Sequence, residues 1–179
     1  KKQTSPSPSA AAPATAKQME KPAMLIDEAK SYTATLQTSA GDITVKLNAD
    51  KTPITVNNFV YLARNTFYDN TIFHRVIEGF MIQGGDPTGT GMGGPGYQFA
   101  SEDVKSPYSD GVVAMANAGR DTNGSQFFIM VKDNPLPPSY SVFGKVVEGL
   151  DIAHAISVVS TDASDRPTQE VKMLSVSVE

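Results

Sequence analysis

The sequence predicts a mainly β chain closed into an antiparallel barrel, on two observations. Short runs of alternating apolar and polar residues recur from Ser31 to the C-terminus, and only two stretches carry helical periodicity. Many short strands with few helices favour closure, because a closed sheet leaves no edge open to pair with another chain.

The elements follow in order. Tyr32, Ala34 and Leu36 alternate with Thr33, Thr35 and Gln37, the segment Ser39-Ala40-Gly41-Asp42 turns the chain, and Ile43, Val45 and Leu47 complete a hairpin. Thr52-Pro53 then supplies an N-cap and a proline at the first helical position. Val56, Phe59, Val60 and Ala63 follow at i, i+3, i+4 and i+7, which is an amphipathic helix of about three turns. Strands are expected around 71–77, 80–83, 97–99, 112–116, 126–131 and 141–146. A second helix fits 148–157, where Leu150, Ala153 and Ile156 share a face, and Val171 to Val178 reads as the closing strand.

Composition divides the chain in two. Residues 1–30 read as a flexible tether and residues 31–179 as the folded domain. Pro6, Pro8, Pro13 and Pro22 fall within the first 23 residues among Ser, Ala, Thr and Lys, too little apolar surface to offset ordering entropy. The tether carries five cations against three anions, whereas the domain carries ten against sixteen. An acidic domain without basic clusters argues against nucleic-acid binding. There is no cysteine, which excludes disulfides and thiolate chemistry, and no run of eighteen apolar residues that would span a membrane. The Lys-Lys start before a Ser/Pro/Ala tether resembles an exported bacterial protein anchored through a removed N-terminal segment. The alternative is a cytoplasmic protein with a disordered tail.

Two segments concentrate the chemistry. The first runs Phe73-His74-Arg75-Val76-Ile77-Glu78-Gly79-Phe80-Met81-Ile82-Gln83-Gly84-Gly85-Asp86. The second runs Met115-Ala116-Asn117-Ala118-Gly119-Arg120-Asp121-Thr122-Asn123-Gly124-Ser125-Gln126-Phe127-Phe128. Along a strand Arg75 shares a face with Phe73 and Ile77, so a guanidinium stands beside an apolar floor. Gln126 and Phe128 are two apart and face the same way. Phe73, Phe127 and Phe143 read as core, and His74 and His154, the only histidines, as structural.

Together the segments resemble the two signature blocks of the cyclophilin peptidyl-prolyl cis/trans isomerases, over residues 31–179. The resemblance implies an eight-stranded barrel capped at each end by a helix, with the active groove on the outer surface. It implies an isomerase of Xaa-Pro bonds in peptides and in unfolded or folding proteins, without cofactor or metal. Arg75, Gln83 and Asn117 would be catalytic, with Arg75 at the proline amide, Gln83 holding Arg75 and the substrate backbone, and Asn117 bonding the peptide. Phe80, Met81, Phe128 and Leu136 would form the proline pocket, with Ile77 and Tyr140 at its edge and Ala116 and Gln126 on the peptide backbone. A proline-peptide binding module or holdase with little turnover is the alternative use of the same groove.

The chain departs from that pattern at Asn134-Pro135-Leu136-Pro137-Pro138-Ser139-Tyr140. Many relatives carry a tryptophan before the leucine, a Leu-Asp-Gly turn and a histidine where Tyr140 falls, whereas this chain has no tryptophan. Because that indole donates a hydrogen bond to cyclosporin A, weakened cyclosporin binding is expected. Gly89-Thr90-Gly91-Met92-Gly93-Gly94 matches G-x-G-x-x-G, but Pro95-Gly96 follows where a dinucleotide site needs a helix. Seven of the fourteen glycines fall within 84–96, which suggests instead a tight loop beside the groove. Ala12-Pro13 is a small-residue–proline pair that such a groove accepts, and a coil from there to Ser31 spans roughly 20–25 Å.

Overall fold

A computed structural model describes residues 17–102 and 105–179. The elements are β1 (Tyr32–Thr38), β2 (Gly41–Leu47), α1 (Pro53–Arg64), β3 (Thr71–Ile72), β4 (Arg75–Ile77), β5 (Met81–Gly84), β6 (Val112–Met115), β7 (Phe127–Met130), β8 (Val142–Glu148), α2 (Leu150–Ser157) and β9 (Lys172–Val178). All strands join one sheet in the order β3-β9-β1-β2-β8-β6-β7-β5-β4, with every pair antiparallel.

Among the described residues the sheet has nine strands where eight are expected, and one local break explains the difference. The predicted strand 71–77 divides at Phe73-His74 into β3, which pairs with β9, and β4, which pairs with β5. The two edges of the sheet are thus successive pieces of one segment, so the curled sheet is closed by two residues of chain rather than by a hydrogen-bonded ladder. The break also overturns the expectation that Phe73 and Arg75 share a face. Phe73 lies in the interior while Arg75 is exposed. No strand forms at 97–99 among the described residues; a single bridge joins Phe99 to Asn123.

Period-two alternation sorts the side chains into two separate clusters. Val76, Ile82, Val113, Met115, Phe127, Ile129 and Phe143 point inward. Their neighbours Ile77, Met81, Val112, Ala114, Phe128, Met130 and Val142 point to the opposite face and pack with Tyr108, Phe80, Leu136 and Tyr140. Inside, Phe59 of α1 meets Tyr68, Phe127 and Phe143 at centroid separations of 5.2–5.5 Å, so the helix plugs the barrel with aromatic contacts.

Thr52 occupies the N-cap position of α1, but its hydroxyl donates backward to the carbonyls of Asn48 and Val142. The cap is the carboxylate of Glu102, which accepts from the Thr55 N–H and hydroxyl at 2.6 and 2.7 Å and from the Ile54 N–H at 3.3 Å. A carboxylate there offsets both orphan donors and the helix dipole.

Residues 17–30, placed in the tether by composition, are irregular but packed on the domain. Asn57 accepts from the N–H groups of Leu25 and Ile26 and donates to the Ala23 carbonyl, and Ile26 is buried. Farther back, the Met19 N–H donates to the Pro95 carbonyl and Lys17 to the carbonyls of Thr66 and Phe67. The Asn57 amide satisfies the backbone at Ala23, Leu25 and Ile26, and the Lys17 ammonium ties the segment to domain carbonyls, contacts that composition does not reveal. Ala12-Pro13 lies outside the described residues.

Candidate active site

The outer face of the barrel carries one transverse row across four strands. Arg75 of β4 stands opposite Gln83 of β5, Gln83 opposite Phe128 of β7, and Phe128 opposite Ala114 of β6. Strand spacing of about 4.8 Å puts the guanidinium stem within roughly 10 Å of the Phe128 Cα. The fixed register of a sheet makes this arrangement stiff.

Phe128 and Met81 are only 5% and 2% exposed, yet both belong to the outer cluster rather than the barrel core. Between them opens a cavity of about 150 Å³, lined by Arg75, Phe80, Met81, Gln83, Ala116, Asn117, Phe128, Leu136 and Tyr140. That is below the ~300–1,000 Å³ of sites for whole small molecules. It suits a single side chain. Tyr140 closes it edge-on to Phe128, with centroids 5.4 Å apart and planes at 88°.

The polar groups on the rim are oriented by one another. Gln126 donates from Nε2 to the carbonyls of Gly91 (3.0 Å) and Gly93 (2.9 Å), which fixes its amide so that Oε1 accepts from Gln83 Nε2 at 3.1 Å. Gln83, which lines the cavity, is thereby left with Oε1 as a free acceptor. Its bond runs to Gln126 and not to Arg75, which differs from the expected pairing. The Arg75 guanidinium has no hydrogen-bond or ion-pair partner among the described residues. Asn117 donates from Nδ2 to the Ser139 carbonyl (2.8 Å) and accepts at Oδ1 from the Gly119 N–H (3.2 Å), which orients its amide and leaves one N–H and one lone pair of it open to a ligand.

The glycine-rich loop is held by Asp86, the residue that ends the first block. Its carboxylate is fully buried and accepts from the N–H groups of Thr88, Gly91 and Gly93 and from the Thr88 hydroxyl. Burial alone would raise its pKa, but the bonds from Gly93, Thr88 and Gly91 win and hold the carboxyl below its usual range. A Cβ at Gly93 would run into that carboxylate, so the loop needs glycine there. His74 sits beneath, buried, with Nδ1 unpartnered; burial lowers its pKa, Asp86 raises it, and Arg166 and Arg75 lower it. The loop opens a second cavity of about 540 Å³ that shares Gln83, Ala116 and Asn117 with the first and includes Gln126.

Nine of the eleven residues singled out in the sequence therefore line one cavity. Ile77 packs on its floor in the outer cluster, and Gln126 stands next door, bonded to Gln83. The sequence reading missed Asp86 as the loop's organiser and Tyr108 beneath Tyr140. A carboxylate ahead of a glycine run was the available signal for Asp86. Tyr108 sits in irregular chain, with no periodicity to flag it. Among the described residues no three His, Asp or Glu side chains are grouped to hold a metal ion, and no helix is long and apolar enough to cross a membrane.

Comparison with known proteins agrees with this geometry. The family pattern described as cyclophilin type peptidyl-prolyl cis-trans isomerase/CLD matches residues 33–178. A probable peptidyl-prolyl cis-trans isomerase A of Mycobacterium leprae is 48% identical over 172 residues, covering 83% of this chain and 93% of that protein. A Cryptosporidium parvum cyclophilin-type isomerase superposes with a TM-score of 0.81 at 35% identity, covering 84% of this chain and 98% of the other. A second crystal structure of that protein, in the presence of the dipeptide Ala-Pro, gives a TM-score of 0.79 at 36% identity, covering 82% and 98%. The chain belongs to the cyclophilin-type peptidyl-prolyl cis-trans isomerases.

Proposed function

We propose that this isomerase seats the proline ring against Phe80, Met81, Phe128 and Leu136 while Arg75 donates a hydrogen bond to the twisted Xaa-Pro amide. Rotation about that bond faces ~18–20 kcal/mol because planarity gives the C–N bond partial double-bond character. In the twisted state the nitrogen is pyramidal and its lone pair can accept a hydrogen bond, which the planar ground state cannot. A donor that engages only the twisted form lowers the barrier without tightening the ground state. A thousandfold acceleration needs roughly 4 kcal/mol, within reach of one charge-assisted donor together with pre-positioned polar contacts.

One observation carries this reading: the guanidinium without a hydrogen-bond or ion-pair partner among the described residues, standing on the rim of a cavity that Phe80, Met81, Phe128 and Leu136 line beside Gln83 and Asn117. The free Gln83 Oε1 and Asn117 supply polar contacts for the flanking peptide, so that only the prolyl amide has freedom to turn. Titrating an Ala-Pro peptide into labelled protein, with exchange spectroscopy on the peptide, tests it. Shifts concentrated at Arg75, Met81, Ala116, Phe128 and Leu136 with accelerated exchange are expected. Accelerated exchange with shifts confined to another face would remove the site.

Three further points belong to the same reading. Cyclosporin A binds weakly, because no tryptophan is present and exposed Pro135 precedes Leu136; an affinity equal to that of a Trp-containing relative would contradict this. The Ala12-Pro13 pair competes for the groove, supported by Met19 bonding to Pro95 on the rim of the larger cavity. Deleting residues 1–16 should then lower the KM for peptide, and an unchanged KM dismisses the tail. The Pro/Ser/Ala/Lys composition of residues 1–16 supports an extracytoplasmic site of action, which cell fractionation tests.

A further inference from the structure

We propose that Tyr108 is the positioning residue for the loop wall of the pocket, so that the proline affinity of this chain depends on the Tyr108 hydroxyl; this rests on the proline-pocket reading above. Leu136 and Tyr140 both come from the loop 134–140, which lies between no pair of hydrogen-bonded strands. Pro135, Pro137 and Pro138 remove three of its N–H donors. Its internal bonds are short-range only, from Leu136 N–H to the Asn134 carbonyl and from Ser139 N–H to the Pro137 carbonyl. Such a loop cannot hold its own shape, so whatever fixes it must lie outside it.

Tyr108 clamps both ends. Its carbonyl accepts from the Asn134 N–H at 3.0 Å, where the loop begins. Its hydroxyl donates to the Tyr140 carbonyl at 2.8 Å and accepts from the Tyr140 N–H at 3.1 Å, where the loop ends. One side chain thus satisfies both backbone groups of the residue that walls the cavity. The Tyr108 ring is 6% exposed within the outer cluster and meets the Tyr140 ring edge-on at 6.2 Å. Burial pushes the phenol up, against the lowering effect of its bond to the Tyr140 backbone, so the hydroxyl remains a donor through neutral pH. A further outside anchor, Asn117 to the Ser139 carbonyl, is exposed and competes with water. The clamp lets Tyr140 press on Phe128 without a longer folded turn beneath it.

Tyr108→Phe keeps the ring and the carbonyl bond to Asn134, and removes the hydroxyl end of the clamp at Tyr140. Amide exchange at Tyr140 should quicken about tenfold while β1 and β2 amides keep their rates. The KM for an Ala-Pro peptide should rise about three- to tenfold with kcat within twofold. A purely structural tyrosine would lower melting temperature without this KM-against-kcat split. Faster exchange with an unchanged KM overturns the proposal, as does unchanged exchange. The wild type alone gives a second test: a Tyr140 amide exchanging at the unprotected rate also refutes the clamp. Exchange reads the clamp without turnover, so a wild type inert on the peptide refutes the functional reading and is not mistaken for failure of the clamp.

Discussion

The groove has two walls built by different means. The sheet wall carries Arg75, Gln83, Met81 and Phe128 on paired strands, whose register sets their spacing. The loop wall carries Leu136 and Tyr140 on a proline-rich segment held by side chains from elsewhere. Rigidity is intrinsic to the first wall and borrowed by the second. Truncating the buried side chains of the sheet wall, Met81 and Phe128, should therefore cost fold and function together, whereas alterations to the loop wall should cost function alone.

Met81→Ala against Leu136→Ala breaks or sharpens that contrast most directly. Met81 is buried on a strand, so its truncation should cost about 2–5 kcal/mol of stability as well as peptide affinity. Leu136 is half-buried on the loop and should lose affinity with less than about 1 kcal/mol of stability. Equal stability losses in thermal melts would erase the distinction. Next in size is the neighbouring pair on β7. Phe127→Leu should cost about 1–3 kcal/mol and leave kcat/KM of the folded fraction intact, because Phe127 points into the barrel. Phe128→Leu should lower kcat/KM for a similar stability loss. If Phe127→Leu proves the worse enzyme, the assignment of faces is wrong.

Glu102→Ala should cost about 1–2 kcal/mol by uncapping α1, a fall of a few degrees in Tm, with little change in KM. The smallest effect is a pH dependence of the sheet side. His74 and Asp86 both hold a pKa below their ordinary values, so each binds protons more readily when unfolded and stability rises with pH across its window. Stability should be full above about pH 6.5, fall as pH drops through the lowered His74 pKa, and fall again below about 3.8 through that of Asp86. Urea midpoints that stay level from pH 7 to 5 in wild type, or a first step that persists in His74→Gln, would contradict the His74 assignment.

The sheet wall was legible in the sequence, and the loop wall largely was not. Strand periodicity places Gln126 with Phe128, resemblance of the two blocks names Arg75, Gln83, Met81 and Phe128, and the register of the sheet then sets Gln83 opposite Phe128. These are local rules that register carries through. The rule failed at Phe73-His74, where a two-residue break separated Phe73 from Arg75 and turned eight strands into nine. It failed again at Thr52, because the carboxylate of Glu102, distant in the chain, outcompeted the local hydroxyl for the helix N-terminus. Leu136 and Tyr140 were found by resemblance, whereas the residue that positions them, Tyr108, left no pattern because its partners are backbone atoms. Likewise the packing of residues 17–30 depends on Asn57, a single amide on a helix whose buried face looks apolar. Interactions with long sequence separation and polar character are what composition and periodicity cannot express.

Arg75→Ala measured by exchange spectroscopy at saturating Ala-Pro peptide tests the central claim most directly. Because Arg75 is exposed and unpartnered among the described residues, its loss should leave the fold intact. The account predicts that the variant still binds the peptide within a few-fold while bound-state isomerisation slows by about 10²–10³. Bound-state exchange at the wild-type rate would contradict it, and would place the acceleration in the apolar pocket rather than in the guanidinium.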